Sequence, residues 1–285
     1  MARLVVMLPT YNAENDIEEV LSLISSQISS EDKIQIVDSS STDKTVAIAK
    51  RYDADIMIIP QEEFSHSGTR SRMAAKAVDE GFDYGLFMTQ DVYLQKNAIK
   101  NLLELISSEQ EIGAVFGKQE VDLVKGNLFE YYARSFNYPE KSEVWDKTAI
   151  SEKGIKTVFI SDAFSIYNLR IIAALGYFGD TVNMSEDMLI ADKLIQNGYK
   201  IGYSATAKVY HTHNFKISDE YKRYKLIGRF YKENQELVSR YGKTNSNGMK
   251  LAIGEVIFLI KKGKLHMLPK SLVRNAAKFI GHKIG

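Results

Sequence analysis

The chain has 285 residues, of which 45% are hydrophobic, and this content supports a packed core and argues against a largely disordered protein. It contains no cysteine, which excludes disulfides and thiolate-bound zinc or iron–sulfur centres and agrees with a reducing compartment. Only a brief apolar run precedes Pro9, without a small-residue cleavage site, so we expect a first strand, no signal peptide and a cytoplasmic location.

Strand-like and helical patterns alternate over the first half of the chain. Short apolar runs predict strands, and apolar residues spaced three to four apart predict helices between them. This alternation is typical of an α/β domain with a mostly parallel sheet. The predicted strands are 4–8, 34–37, 56–59 and 84–88, and the predicted helices are 13–26, 42–52, 69–80 and 97–107.

Polar clusters follow three of these strands, at Pro9 to Asn12, Asp38 to Asp43 and Thr89 to Asp91. In parallel sheets ligands bind beyond the carboxyl ends of the strands, so we expect the three clusters to converge on one crevice. The chain has no GxGxxG or Walker motif. The usual nicotinamide and P-loop interpretations therefore lose their main support.

Beyond residue 112 the pattern is less regular. It predicts a strand, an aromatic helix over 127–138, a buried strand around 157–161, and then a helix that begins at Glu186 and Asp187. A carboxylate at a helix start satisfies backbone amides and faces the positive end of the helix dipole, so one of this pair can point toward a substrate. The alternative is an ordinary acidic helix start.

Two histidines, His211 and His213, follow a strand-like run that ends at Tyr210. A two-residue period places both imidazoles on one face, and such a face can hold a metal ion or a diphosphate. The alternative is a pair of exposed, solvated histidines.

The end of the chain differs from the rest in charge. From Lys243 onward nine Lys and Arg residues stand against Glu255 alone, a net charge of +8 that leaves −7 for residues 1–242. Apolar residues at helical spacing predict basic amphipathic helices, too short in their apolar runs to span a bilayer, that lie on an anionic membrane surface. The alternative is packing on the main domain with a solvated basic face. Few aromatic residues and no known motif argue against nucleic acid.

Six motifs follow one another along the chain: PTYNAE at 9–14, VDSSSTDKT at 37–45, FSHSGTRSRMAA at 64–75, FMTQDVYL at 87–94, SEDMLIADKLIQNGYKI at 185–201 and AKVYHTH at 207–213. Taken together and in this order, they resemble family 2 glycosyltransferases with the GT-A fold, specifically the bacterial rhamnosyltransferase-like members. The resemblance implies a Rossmann-like GT-A domain over 1–215, with a mostly parallel sheet, a donor half of about 1–111 and an acceptor half of about 112–215. Residues 216–285 lie outside the resemblance, and their own pattern predicts a helical extension.

A nucleotide-sugar donor needs a pocket for its base and a means of neutralising its diphosphate. Asp38 can accept from a pyrimidine N3–H, a role that the resemblance also implies, or it can be a turn residue that caps the next helix. Arg70 near a helix N-terminus can clamp a phosphate, or it can pair with a surface carboxylate. The predicted donor-binding residues are Pro9, Thr10, Tyr11, Asp38, His66, Thr69, Arg70, Gln90 and Asp91.

Thr89-Gln90-Asp91 stands where the family usually has two aspartates separated by one residue, and the rhamnosyltransferase-like members tend to read in this way. Asp91 is then the one acidic ligand for Mg²⁺ or Mn²⁺, and a lone carboxylate binds these ions weakly. His213 is the predicted additional metal ligand. His211 is the second choice, or an inward-turned structural imidazole.

The resemblance assigns the general base to Asp187, with Glu186 as the alternative base or as a partner that orients the helix. The expected reaction transfers a sugar to a polysaccharide or a lipid-linked saccharide, with inversion at the anomeric carbon. The preferred sugar is L-rhamnose from its dTDP donor. The expected location is peripheral, at the inner face of the plasma membrane. Trp145 and Tyr177 are candidates for stacking on the acceptor, although aromatic residues more often belong to the core. The alternatives are a UDP-hexose or UDP-galactofuranose transferase and a non-catalytic, membrane-associated scaffold.

Overall fold

A computed structural model describes residues 2–179, 184–242 and 245–285, with only the backbone described for 245–247. The chain divides into two compact units. The first consists of 1–119, 140–148 and 158–211, and the second of 120–139, 149–157 and 212–285. The sequence predicted two consecutive domains, whereas the second unit gathers two earlier segments with the C-terminal part of the chain.

The first half of the chain has the predicted alternation of strands and helices, and each predicted strand and helix is present. Each ends within a few residues of its predicted position. The elements are β1 (Leu4–Thr10), α1 (Ile17–Ser25), β2 (Lys33–Asp38), α2 (Thr45–Ala49), β3 (Asp55–Ile58), α3 (His66–Asp79), β4 (Tyr84–Met88), β5 (Tyr93–Leu94) and α4 (Ala98–Ile106).

The second half adds the remaining strands and most of the helices. In chain order these are β6 (Ile112–Glu120), α5 (Leu128–Asn137), β7 (Glu143–Trp145), α6 (Ile150–Lys153), β8 (Phe164–Asn168), α7 (Leu169–Ala174), α8 (Glu186–Gln196), β9 (Lys200–Tyr210), α9 (Ile217–Glu233), α10 (Gln235–Tyr241), α11 (Asn245–Lys261) and α12 (Leu268–Ile284).

The strand predicted around 157–161 is wrong. Gly154–Val158 form a 3-10 turn, and the strand of this region is β8, several residues later. Val158 and Ile160 are nonetheless almost fully buried. A short apolar run indicates burial without fixing the backbone conformation, so the pattern located the core correctly and the element incorrectly.

One sheet organises the first unit, in the order β3-β2-β1-β4-β8-β6-β9-β5, with β7 beside β9. The strands β1 to β4 pair in parallel. Strand β8 pairs antiparallel with β4 and with β6, and β5 and β7 pair antiparallel with β9. Parallel pairing brings the carboxyl ends of β1, β2 and β4 to the same edge of the sheet, where the polar clusters begin.

Buried aliphatic side chains hold this edge in place. Leu4, Val6 and Leu8 of β1 belong to one hydrophobic cluster with Leu21 and Ile24 of α1, and each is at most 1% exposed. Full burial of such a side chain contributes roughly 1.5–3 kcal/mol, so the strands form a rigid support for the loops that follow them.

In the second unit, α12 packs closely along α9. A Cβ atom at Gly228 would lie 2.1 Å from the His282 carbonyl oxygen, and one at Gly281 would lie 2.6 Å from that of Tyr221. Glycine at both positions is what permits this approach. Among the described helices, none has both the length and the apolar content of a bilayer-crossing segment.

Candidate active site

Hydrogen bonds join the loops that follow β1, β2 and β4. Thr10 Oγ1 donates to Asp38 Oδ2 at 2.9 Å. The backbone N–H of Tyr11 donates to Gln90 Oε1 at 2.8 Å, and Gln90 Nε2 donates back to the Tyr11 carbonyl at 3.1 Å. The backbone N–H of Asn12 donates to Ser41 Oγ at 2.8 Å. The predicted convergence of the three polar clusters is therefore confirmed.

The Asp38 side chain stabilises the turn that follows β2. It is fully buried and accepts hydrogen bonds from the Ser41 N–H at 2.8 Å and the Ser41 hydroxyl at 2.6 Å, besides that of Thr10. Asp43 Oδ1 accepts from the Thr45 N–H at 2.9 Å at the start of α2. Asp38 thus is a turn residue, as the alternative stated, but the carboxylate at the start of the next helix is that of Asp43. The buried Asp38 carboxylate does not offer an edge to a pyrimidine. Its predicted contact with the base is not supported by this geometry.

Of the three predicted donor-binding residues Pro9, Thr10 and Tyr11, Tyr11 has the most exposed side chain. Thr10 is 2% exposed and Pro9 is half-buried, whereas Tyr11 is 41% exposed. Gln90 fixes the Tyr11 backbone on both its N–H and its carbonyl, so the ring projects from a held position. An aromatic face of this kind can stack on a base.

Helix α3 begins earlier than predicted, which changes the place of Arg70. Ser65 caps the helix by accepting the Gly68 N–H at 3.1 Å, so Arg70 lies in the second turn. Arg70 is 4% exposed and forms ion pairs with Glu186 Oε1 at 2.6 Å and Asp162 Oδ2 at 3.1 Å. It is an internal cation between two buried carboxylates. The predicted phosphate clamp and the surface-pair alternative are both corrected by this arrangement.

His66 and Thr69 lie in the first turn of α3 and differ in their exposure to solvent. Thr69 is 3% exposed, so its hydroxyl does not reach the surface to bind a donor. His66 reaches solvent, and its Nδ1 lies 3.2 Å from Arg70 Nη1. Burial of the ring and the Arg70 charge lower the pKa of His66 to about 4, so the imidazole is neutral near pH 7. A neutral imidazole at the surface remains a candidate for donor binding.

Asp162 is a buried residue that the sequence interpretation missed. It is 2% exposed, and its Oδ1 accepts hydrogen bonds from Ser165 Oγ and Tyr167 OH, each at 2.5 Å. The available signal was the spacing of Ser165 and Tyr167, which places both on one face of β8, just after an aspartate in an apolar run. The misplaced strand at 157–161 hid that signal.

Glu186 and Asp187, the acidic pair at the start of α8, lie in different environments. Glu186 is 6% exposed and is engaged with Arg70, so it matches the orienting-partner role and not that of a base. Asp187 is partly exposed, and its Oδ1 accepts the Met188 N–H at 2.8 Å. Burial and the charges of Glu186 and Asp162 raise the pKa of Asp187 well above its usual value of 3.8, while Arg70 opposes this shift.

Asp91 and His211 face each other within the first unit. His211 Nδ1 lies 2.8 Å from Gln119 Oε1. Because an amide oxygen only accepts, the proton of a neutral His211 is on Nδ1, and Nε2 faces Asp91 Oδ1 at 3.5 Å. A carboxylate beside an imidazole can contribute two ligands to a divalent transition-metal ion.

The surroundings of each histidine differ from those that were predicted. Strand β9 ends at Tyr210, so both histidines lie in the loop that follows and strand alternation does not place them. His211 is 6% exposed and is the inward-turned imidazole that the alternative described, yet it faces Asp91. His213 stacks on Phe215, with ring centroids 4.7 Å apart, and its N–H donates to Glu130 Oε1 at 2.7 Å.

The two aromatic acceptor candidates have different settings. Trp145 is 9% exposed and packs edge-on against Phe116, so the protein itself covers most of its ring. This is the core position that the alternative described, and it does not offer a stacking face. Tyr177 is half-buried in a left-handed conformation, and its carbonyl accepts from Lys193 Nζ at 2.9 Å.

Comparison with known proteins identifies the class to which this fold and site belong. Residues 5–176 match the model of glycosyl transferase family 2, and the chain belongs to this family. It is a glycosyltransferase.

The chain is also similar to individual proteins, one by sequence and two by structure. The chain is 36% identical over 287 residues to the O-antigen chain rhamnosyltransferase WbaN of Salmonella anatum, a match that covers 100% of this chain and 90% of the relative. The mannosyltransferase PcManGT of Pyrobaculum calidifontis, solved with GDP-Man and Mn²⁺, has a TM-score of 0.64 at 14% identity, with 98% of this chain and 86% of that chain covered. S. aureus TarS 1-349 has a TM-score of 0.60 at 18% identity, with 99% and 81% covered. These two structures show that the fold is GT-A.

Proposed function

We propose that the protein transfers L-rhamnose from dTDP-L-rhamnose, with inversion at the anomeric carbon, to a growing polysaccharide or a lipid-linked saccharide. The observation that carries this proposal is the full-length similarity to a chain rhamnosyltransferase. The loops that meet beyond β1, β2 and β4 supply a place for the nucleotide, with Tyr11, His66 and Gln90 as its side-chain contacts.

Asp187 is the proposed general base. Glu186 and Asp162 are occupied by Arg70, whereas Asp187 reaches solvent at the start of α8. In the proposed step Asp187 takes the proton of the acceptor hydroxyl as that oxygen forms a bond to the anomeric carbon. The bond between this carbon and the diphosphate breaks on the opposite face, its electron pair leaves with dTDP, and the configuration inverts.

Asp91 and His211 are the proposed ligands of a divalent cation, and His213, two residues further along the chain, is the third candidate from the sequence. A bound cation would neutralise charge that develops on the leaving diphosphate. Gln119 fixes the tautomer of His211, which leaves Nε2 unprotonated and able to bind a metal ion. Support for the class of ligand comes from PcManGT, which was solved with Mn²⁺.

A donor screen tests the sugar. With Mn²⁺ present, dTDP release from dTDP-L-rhamnose is expected to exceed nucleotide release from UDP-glucose, UDP-galactose and GDP-mannose by at least about tenfold in kcat/KM, because each sugar–pocket mismatch costs roughly 1–3 kcal/mol. The release of the nucleoside diphosphate is measured for each donor at equal concentration. Turnover with UDP-glucose or UDP-galactose and none with dTDP-L-rhamnose would contradict rhamnose transfer and favour the UDP-hexose alternative.

We also propose that α11 and α12 rest on an anionic membrane surface at the cytoplasmic side. Both helices expose a stripe of apolar side chains at helical spacing, accompanied by exposed lysines such as Lys261 and Lys270. This combination suits the interface of an anionic bilayer. The exposed apolar residues are Met249, Ile253, Ile257 and Ile260 on α11 and Leu272, Val273, Phe279, Ile280 and Ile284 on α12.

Point substitutions on α11 and α12 test the membrane proposal better than deletion of these helices. Arg274 of α12 pairs with Glu220 at 2.6 Å and donates to the Phe215 carbonyl at 3.3 Å, so removing α12 would leave buried charges unpaired. Ile253→Glu combined with Phe279→Glu is expected to lower partition onto phosphatidylglycerol vesicles at least about tenfold, because each buried apolar side chain contributes roughly 1.5–3 kcal/mol.

The measurement is co-sedimentation with vesicles of phosphatidylglycerol and, separately, of phosphatidylcholine. Ile58→Glu is the matched control, because Ile58 is 58% exposed at the end of β3 in the other unit. The control variant is expected to bind as the wild type does. Equal binding of the wild type and the double variant, or no preference for the anionic vesicles, contradicts the proposal.

A further inference from the structure

A buried ion-pair cluster adjoins the proposed base in the sequence and in space. Arg70, Asp162 and Glu186 are each at most 6% exposed, and Arg70 contacts both carboxylates. Asp162 takes no direct part in the proposed proton transfer or in the departure of dTDP. Because an isolated buried charge is costly, the three side chains stabilise one another only while they keep these positions.

The cluster connects β8 to the start of α8. Ser165 Oγ and Tyr167 OH hold Asp162 Oδ1, which leaves Oδ2 to face Arg70, and Arg70 in turn holds Glu186, the first residue of α8. No side chain caps this helix at Ser185. The Arg70–Glu186 pair instead anchors the first residue of α8 to α3. Asp187 is the next residue.

We propose that Asp162 is a positioning residue for the transfer reaction, which holds the start of α8, and with it Asp187, through Arg70 and Glu186. The inference rests on the proposed function, because it takes Asp187 as the base.

The charges of the cluster provide a way to test this role. Ionisation of Asp187 places a third carboxylate beside a single cation, and each neighbouring negative charge opposes it. Burial, then Glu186 and Asp162, raise the pKa of Asp187, and Arg70 lowers it. A base acts only when deprotonated, so turnover falls as the pH drops through that raised pKa.

Among the described residues, Tyr167 and His66 are titratable groups that also face the cluster. Burial and Asp162 raise the pKa of Tyr167 well above 10.0, so this phenol stays neutral across the working range. His66 lies against Arg70, and its lowered pKa of about 4 keeps it neutral near pH 7. Neither group therefore changes charge near pH 7 in the wild type.

Charge-removing substitutions with opposite expected effects test the inference. Asp162→Asn keeps the shape and the acceptor for Ser165 and Tyr167 while removing one negative charge, so the acid limb of the kcat profile is expected to move to lower pH. Arg70→Gln removes the cation and is expected to move the limb to higher pH. The assay is dTDP release from dTDP-L-rhamnose with water as the acceptor.

Glu186→Gln covers the case in which Asp162→Asn does not fold, because it removes a negative charge from the same cluster and predicts the same downward shift. Asp146→Asn is the control. Its carboxylate accepts from Thr148, outside the cluster, and the limb is expected to stay where it is in the wild type.

The outcomes separate this inference from the proposed function. If Asp162→Asn and Glu186→Gln lower turnover without moving the acid limb, the cluster is only structural and the inference is overturned. If Asp187→Asn keeps full turnover, the proposed base itself is wrong. An inactive Asp187→Asn together with opposite shifts for Asp162→Asn and Arg70→Gln supports both.

Discussion

Replacing Asp187 by asparagine is expected to lower kcat for sugar transfer by about 10²- to 10⁴-fold, the usual contribution of a positioned general base. Asparagine keeps the size of the side chain and can still accept the Met188 N–H, but it cannot take the proton of the acceptor hydroxyl. The dissociation constant for dTDP-L-rhamnose is expected to stay within about twofold, because the substitution removes an interaction that matters in the transition state and not in donor binding.

The measurement pairs steady-state turnover with donor binding by titration calorimetry. Asp192→Asn is the matched control, since it makes the same chemical change on the same helix, α8. The control is expected to keep the turnover of the wild type. A non-catalytic scaffold would lose nothing measurable in the Asp187 variant, so unchanged turnover would contradict the assignment of the base.

The Asp187 variant should also be examined for stability. A charged carboxylate at this position opposes Glu186 and Asp162, and its raised pKa means that folding disfavours the ionised form. Above that pKa the wild type therefore carries an electrostatic cost that the neutral amide removes, and the thermal midpoint of Asp187→Asn is expected to equal or exceed that of the wild type. A base that destabilises its own fold is typical of a functional site.

Local patterns predicted the parallel part of the sheet and the loops that follow it. The apolar runs of β1, β2 and β4 are bounded by polar clusters, and the rule that parallel strands end at one edge is sufficient to bring Thr10, Asp38 and Gln90 together. What those residues do there was less predictable. The burial of Asp38 depends on hydrogen bonds from Ser41 that a one-dimensional pattern does not contain.

The Arg70 cluster shows where sequence reasoning stops. Arg70 and Glu186 are 116 positions apart in the chain, and no periodicity connects them. An arginine near a helix start was sound evidence for an anion nearby, but the anions are two carboxylates of the protein itself. Distinguishing a donor phosphate from an internal ion pair requires knowing which residues are buried together, and this is fixed only by the tertiary fold.

The C-terminal helices were predicted from their composition and apolar spacing. In the structure, some of their basic residues are buried and others are exposed. Arg274 and Lys278 turn inward and pair with Glu220, at 2.6 and 3.3 Å, so part of the basic excess neutralises a buried carboxylate. The exposed side is instead rich in apolar residues. Net charge alone did not show which basic residues remain at the surface, because that depends on the face that each helix buries.

Replacing Asp91 by asparagine, or removing divalent ions with EDTA, is expected to abolish most transfer activity and, for the variant, to weaken Mn²⁺ binding by more than about tenfold. Altering a residue that merely orients a ligand typically costs about 10- to 100-fold in metal affinity, and removal of the one carboxylate from the group should cost at least as much. The binding is measured without substrate, as the shift of the thermal midpoint with increasing Mn²⁺.

Asp79→Asn is the control for this substitution, because Asp79 is an exposed carboxylate at the end of α3 and is not one of the proposed metal ligands. Its Mn²⁺ response is expected to match that of the wild type. His211→Gln adds a separate check, since the loss of an imidazole that faces Asp91 at 3.5 Å should weaken Mn²⁺ binding in parallel. If the Mn²⁺-dependent stabilisation survives in both Asp91→Asn and His211→Gln, the ion binds elsewhere. In that case the neutralisation of the leaving diphosphate has to come from groups other than this carboxylate and these histidines.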